Sequence, residues 1–480
     1  PEQMPAAMLA AMRVLTDPAE TGAVTVCLPQ DVQAQAHDWP VELFAERVWH
    51  VPRPQPEPAA LDRAVEMIRT ARRPLVVAGG GVIYSHAAEA LARFCEATGI
   101  PVGQSQAGKG TLVHDHPQCL GAIGSTGTTA ANAIARDADV VIGVGTRYSD
   151  FTTASRTAFQ AEGVRFVNVN VAALDSVKHA GVSVLADARD TLVALTERLP
   201  GYRVADDYAE QVRRLKGEWN DTVDRAYHPD AANAGSGGLL TQSEVIGVVN
   251  EMSDPRDVVV CAAGSMPGDL HKLWRTRDTK GYHVEYGYSC MGYEVAGGLG
   301  AKMACPDRDV FVMVGDGSYL MMATELVTAV QEHVKVIVVL VQNHGYASIG
   351  ALSEELGSQR FGTRYRFRSE DSGRLDGALL PVDLAANAQS LGVDVVRAGN
   401  ADELAVAVKT AKAATHSTVI HVETDPLVPA PDSQSWWDVP VSETSTLEST
   451  RRARVVYDRH KATQRPYFTP SETTDEETTS

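Results

Sequence analysis

Val310-Phe311-Val312-Met313-Val314-Gly315-Asp316-Gly317-Ser318 opens the stretch that decides the fold, and Val336-Ile337-Val338-Val339-Leu340-Val341-Gln342-Asn343-His344-Gly345 closes it. Each starts with a short apolar run rich in β-branched residues. Such a run is too short for a helix and lacks the alternation of a half-exposed strand, so each reads as a strand buried on both faces. Between them, Tyr319 to Gln331 has the spacing of an amphipathic helix. Strand, helix and strand in that order make two parallel neighbours, which deliver Asp316 and Asn343 to the same carboxyl edge. Open α/β sheets bind their ligands at that edge.

One carboxylate and one amide oxygen are too little for a calcium cage but suit Mg²⁺, which is held by few carboxylates together with substrate phosphates. Gly315 and Gly317 flank Asp316 and let a ligand approach the backbone, while Ser318 and the following helix N-terminus offer N–H donors to a diphosphate. Taken alone, Gly-Asp-Gly is most simply a strand-to-helix turn. With 25 residues between Gly317 and Asn343, and Asn343 at the end of the next strand, a metal and phosphate site is the better reading.

Further out, Val258 to Ala262 is another buried strand, and the turn Ala263-Gly264-Ser265 after it stands at the edge where a diphosphate would bind; Ser265 reads equally well as a helix cap. Thr418 to Val422 is a further strand. A second alternating series has a helix at Ala59 to Thr70, a strand at Pro74 to Ala78, a helix at Ala87 to Thr98, and strands at Val140 to Val144 and Val164 to Val169. Its strand ends, Gly79-Gly80-Gly81 and Gly143-Val144-Gly145, invite a dinucleotide, but neither completes G-x-G-x-x-G, and tight turns are the simpler reading.

These patterns divide the chain. Residues 1–45 hold one helix (Ala6 to Leu15) and one strand (Gly22 to Leu28), and a Pro-rich linker follows at 46–58. A central α/β domain spans 59–200, a polar helical connector 201–235, and a second α/β domain 236–428. Residues 429–480 read as extended, with an acidic tail from Ser471 to Glu477 that has the composition of disorder.

Lys plus Arg number 43 against 61 Asp plus Glu, a net charge of −18 that disfavours nucleic acid and anionic membranes as partners. Six dispersed cysteines without a C-x-x-C pair suit buried thiols in a reducing cytoplasm. No apolar stretch approaches the roughly 20 residues that span a bilayer.

Gly315-Asp316-Gly317 followed by Asn343 resembles the signature of the thiamine diphosphate enzymes. That resemblance implies the α/β thiamine diphosphate-binding fold with central and diphosphate-binding domains. It implies thiamine diphosphate and Mg²⁺ as cofactors, with Asp316, Asn343 and the main-chain oxygen of Gly345 on the metal, and Gly264, Ser265, Gly315, Gly317 and Ser318 around the diphosphate. Tyr288 to Lys302 is similar to the stretch in which these enzymes place a bulky apolar side chain under the cofactor. Met291 would there enforce the V conformation and the Ser289 carbonyl would hold the exocyclic amine; the alternative for Met291 is a gap-filling core residue.

Gly315 to Met321, Thr324 to Thr328, Asn343 to Tyr346, Trp436-Trp437-Asp438-Val439-Pro440-Val441 and Gln464-Arg465-Pro466 resemble most closely the inositol-catabolic trihydroxycyclohexanedione hydrolase family. The resemblance covers nearly the whole chain except the acidic tail. It implies hydrolytic cleavage of a ring C–C bond in a cyclic 1,2-dione to give 5-deoxyglucuronate. An acetolactate synthase-like carboligase and a non-catalytic cofactor-binding subunit are the alternatives; the tryptophan pair and Asn343-His344-Gly345 argue against the first. The family usually has aspartate where Gln342 stands. His271, His283 and His344 are candidates for substrate contact or proton transfer, beside plain packing roles.

The resemblance further implies a cytoplasmic homo-oligomer, dimer or tetramer, with sites shared between subunits. The family's catalytic glutamate belongs to a pyrimidine-binding domain, of which Gly22 to Asp31 resembles the last strand. Glu2, Glu20 and Glu42 are in the wrong context for that role. The expectation is therefore that the catalytic glutamate is absent here and that these 480 residues alone do not turn over.

Overall fold

Short runs of Val, Ile and Leu between glycines pair into two parallel sheets of six strands each in the computed structural model, which describes residues 1–466. The expected acidic tail lies outside the described residues. The first sheet contains β1 (Pro74–Ala78), β2 (Val102–Gln104), β3 (Cys119–Ala122), β4 (Val140–Val144), β5 (Arg165–Asn170) and β6 (Val182–Leu185), in the order β3-β2-β1-β4-β5-β6. The second contains β7 (Val258–Cys261), β8 (Tyr282–Val284), β9 (Val310–Gly315), β10 (Ile337–Gln342), β11 (Asp394–Ala398) and β12 (Thr418–Glu423), in the order β11-β12-β10-β9-β7-β8. Strand order reverses between β1 and β4 in one sheet and between β7 and β9 in the other, which makes a crevice at each carboxyl edge.

β1, β4 and β10 are buried along their whole length, as their unbroken apolar runs require. Val341 of β10 lies opposite Gly315 of β9, so Asp316 and Asn343 emerge next to each other at the sheet's edge. The two sheets share one core. It runs from Leu75 and Val141 through Tyr208, Trp219 and Tyr227 of the connecting helix Asp206–Tyr227 to Val259 and Phe311. Polar contacts stitch the same seam: Lys109 Nζ donates to the His271 carbonyl (2.7 Å), and Gln106 Nε2 to the Pro267 carbonyl (2.9 Å).

Four expectations are corrected. Gly22 to Leu28 forms no ladder and is largely exposed, because an extended run becomes a strand only beside a partner, and it has none among the described residues. The helix expected over Tyr319 to Gln331 is two, Asp316–Met321 and Glu325–Gln331. The chain breaks at Met322, where Gly292 packs so closely that a Cβ there would lie 3.0 Å from Met322 Cβ. Residues 429–480 are not simply extended: Glu448–Lys461 is a helix, laced by Arg451–Glu448 and Arg454–Asp458 pairs and anchored by buried Tyr457. All six cysteines are free, but Cys27 and Cys290 are exposed rather than buried. Among the described residues no helix is long and apolar enough to cross a membrane.

Candidate active site

Asp316 is 1 % exposed, and its carboxylate is held by backbone donors. Oδ1 accepts from the Gly317 N–H (2.7 Å), and Oδ2 from Asn343 (3.0 Å) and Gly345 (3.2 Å). Burial pushes its pKa up, against the pull of those N–H groups. Beside it, the side-chain oxygen of Asn343 is buried without a partner. A buried acceptor with no donor, next to a carboxylate already supplied with donors, is what a cation completes. Among the described residues no three His, Cys, Asp or Glu side chains gather as a metal cluster. The oxygens here are a carboxylate and a side-chain amide, the hard kind of ligand that Mg²⁺ takes. Gly345 closes the loop: a Cβ there would stand 2.2 Å from the Thr363 carbonyl oxygen.

The glycines divide into two kinds. Gly315, at the end of β9, and Gly264, in the turn after β7 with φ +85°, have nothing within 4 Å of where a Cβ would be, so the backbone is open to a ligand. Gly317 is packed instead, with the Tyr346 ring 2.9 Å from its Cβ position. Ser265 does not cap the helix Met266–Leu273. Its hydroxyl accepts from Gln242 Nε2 (3.1 Å), which also donates to Asp269 (2.6 Å). The Ser318 hydroxyl is likewise committed, donating to Glu294 Oε2 (2.7 Å) and accepting from the Gly292 N–H (2.8 Å).

Glu294 was not singled out from the sequence. It is 1 % exposed and joins three loops: Oε1 accepts from the Ala263 N–H (3.3 Å), Oε2 from the Gly292 N–H (3.1 Å) and from Ser318. The available signal was a lone carboxylate in the small, apolar run Met291 to Gly300. The Gly292 end of this network fixes the turn that carries Met291, which is 37 % exposed and lines a cavity rather than filling the core. Ser289, at φ +56°, lies on the same wall.

That cavity, about 1060 Å³, brings Gly264, Ser265, Ser289, Met291, Gly315, Asp316, Gly317, Ser318, Asn343 and Gly345 together. Its far wall, which sequence reasoning did not assign, comes from the central domain (Ser125, Phe151) and the segment carrying Ser433, Trp436 and Trp437. The three histidine candidates are elsewhere. His271 is buried at the domain seam between Thr126 Oγ1 (2.9 Å) and the Gln104 carbonyl (2.9 Å), and burial holds it neutral, with its pKa lowered to about 3. His283 stacks on Tyr293, and His344 faces Glu423. Gln342 is buried and accepts from His421 Nε2 (2.7 Å); with Nε2 3.2 Å from His344 Nδ1, its amide serves β12 and the loop after β10 rather than the cavity. Glu2, Glu20 and Glu42 do not line the cavity.

A fold of two such sheets with a carboxylate and amide at the second switch point is that of the thiamine pyrophosphate enzymes. Residues 61–195 match the family model "Thiamine pyrophosphate enzyme, central domain", and residues 262–422 match "Thiamine pyrophosphate enzyme, C-terminal TPP binding domain". The chain is 44 % identical to 3D-(3,5/4)-trihydroxycyclohexane-1,2-dione hydrolase 2 of Bacillus cereus, over 94 % of this chain and 73 % of that protein. It is 43 % identical to hydrolase 1 of the same organism and to the 3D-(3,5/4)-trihydroxycyclohexane-1,2-dione hydrolase of Bacillus thuringiensis (strain Al Hakam), with the same coverage. The chain belongs to the trihydroxycyclohexane-1,2-dione hydrolase family of thiamine pyrophosphate enzymes.

Proposed function

We propose that this chain carries out thiamine diphosphate- and Mg²⁺-dependent hydrolytic ring cleavage of 3D-(3,5/4)-trihydroxycyclohexane-1,2-dione to 5-deoxy-D-glucuronate, a step of myo-inositol catabolism. The observation that carries this is the partnerless Asn343 oxygen beside buried Asp316 at the open switch point, in a chain of this family. Asp316, Asn343 and the Gly345 carbonyl hold the Mg²⁺. Gly264, Ser265, Gly315, Gly317 and Ser318 would frame the diphosphate, Met291 would lie under the cofactor, and the Ser289 carbonyl would orient its amine. Thiamine diphosphate, when bound, supplies a carbon nucleophile and an electron sink for C–C cleavage. The chain's residues bind, orient and shield it, and Glu294 holds the Met291 and Ala263 loops in place as a positioning residue.

No glutamate of the described residues is assigned the proton-relay role. Met303, Leu320, Met321, Val327 and Val330 are exposed on helices that pack together, an apolar face that suits a second copy of the chain. The same reading places the protein in the cytoplasm, with a small-molecule substrate and neither nucleic acid nor membrane as partner. Assay of the protein with the cyclic dione and with pyruvate tests the function. Ring opening of the dione, strictly dependent on thiamine diphosphate and Mg²⁺, is expected; pyruvate coupling in its place would refute it.

A further inference from the structure

The cavity that Asp316 lines is also lined by two serines whose hydroxyls nothing in the protein uses. The Ser125 and Ser433 Oγ atoms are both buried without a partner, and the Ser433 side chain belongs to a residue only 5 % exposed. A hydroxyl can donate one hydrogen bond and accept two, and leaving it unpaired out of water opposes folding. The two serines are neighbours by construction: Asn132 Nδ2 donates to the Gly124 carbonyl (3.0 Å) and to the Ser433 carbonyl (2.8 Å), while Ser435 Oγ donates to the Gly124 carbonyl (3.1 Å). The loop cannot drift, because Gly124, at φ +95°, sits where a Cβ would be 1.9 Å from the Phe151 carbonyl oxygen.

Beside the serines stand two aromatic rings, tilted 44° to each other. The rings of Phe151 and Trp437 lie 4.8 Å apart, and the indole is pinned by Nε1 donating to Asp150 Oδ2 (3.0 Å). All four side chains line the same cavity as Asp316. An apolar aromatic wall next to unpaired hydroxyls fits a saturated ring that shows C–H bonds on its face and O–H groups at its edge.

We propose that Ser125, Ser433, Phe151 and Trp437 form the subsite that reads the ring hydroxyls of a polyhydroxylated cyclohexane substrate, and so set specificity for it over unhydroxylated diones. The proposal rests on the function given above for the same cavity. A site built to bond a substrate hydroxyl discriminates strongly against an analogue that lacks it, because its own polar groups are then left unpaired.

The test compares the protein with its Ser125→Ala/Ser433→Ala variant on the trihydroxy dione and on cyclohexane-1,2-dione. The preference for the hydroxylated ring should fall by about 10-fold or more, with the unhydroxylated dione handled as before. Thermal unfolding of the variant should be unchanged or later, since the removed hydroxyls had no partner; a purely structural role would bring it earlier. Titration with myo-inositol, followed by tryptophan fluorescence, should saturate in the wild type and weaken in the serine variant and in Trp437→Phe. A variant that opens the dione with wild-type preference would overturn the subsite and leave the function standing. Opening of neither dione by the wild type would overturn the function, and the inositol titration would then decide the subsite alone: loss of the signal in the serine variant supports it, and an unchanged signal refutes it.

Discussion

At the first switch point, between β1 and β4, a Cβ on Gly79 would stand 2.3 Å from the Gly145 carbonyl oxygen, and one on Gly81 2.6 Å from Gly145 Cα. At the second, between β7 and β9, Cβ atoms on Gly264 and Gly315 would meet nothing within 4 Å. Both crevices lie where the strand order of a parallel sheet reverses, and both have glycine-rich ends, yet one is closed by backbone against backbone and the other is left open beside Asp316. Topology offers a ligand site at every switch point; whether it becomes one depends on whether the glycines serve packing or access.

The comparison breaks most decisively at the metal corner. Asp316→Ala or Asn343→Ala should weaken Mg²⁺-dependent thiamine diphosphate binding by about 10- to 100-fold, since contacts to charged groups contribute about 1.5–3 kcal/mol each; calorimetry of the 480-residue chain reads this. Next, Gly79→Ala should destabilise the chain by about 3 kcal/mol, because its Cβ overlaps rigid backbone. Gly315→Ala, with φ −78° and open space, should leave thermal stability unchanged while weakening the cofactor about 10-fold. Equal destabilisation by both would erase the distinction between the two crevices.

Glu294→Gln replaces one of two accepting oxygens by a donor and should lose about 2 kcal/mol of stability together with cofactor affinity, whereas a change at an exposed carboxylate such as Glu197→Gln should alter neither. A further effect comes from the seam that joins the two sheets. His271 is held neutral, with a folded pKa of about 3 against an ordinary value of 6.5, so the unfolded chain takes up its proton first. Its contribution to stability is therefore complete above pH 6.5 and declines as the pH falls toward 3, by at most about 1.4 kcal/mol per pH unit. Denaturant titrations at pH 7 and 5 should show that loss in the wild type and a flatter dependence in His271→Gln.

What the sequence showed follows the same division. Seven buried strands were legible because unbroken apolar runs between glycines have few alternative readings, and with β9 and β10 placed, Asp316 and Asn343 had to meet. β2, β3, β6, β8 and β11 were not legible, being three to five residues long and interrupted by polar or small residues, so that neither a run nor a period shows. Burial that depends on distant segments was equally hidden. Glu294 looks like any helix-start carboxylate until Ala263 and Ser318 close over it, and Ser433 gains meaning only beside Asn132, which is 301 residues away. The glycines of the two crevices are alike in sequence, and only the packing of Gly145 onto Gly79 separates them.

The most direct measurement is a crystal structure of the chain with thiamine diphosphate and Mn²⁺ in place of Mg²⁺, with the metal located by its anomalous scattering. The predicted result is one metal about 2 Å from an Asp316 carboxylate oxygen and from the Asn343 side-chain oxygen, with the diphosphate at the β7/β9 crevice. Metal and diphosphate at the β1/β4 crevice, or a diphosphate at β7/β9 with Asn343 unliganded, would contradict the account.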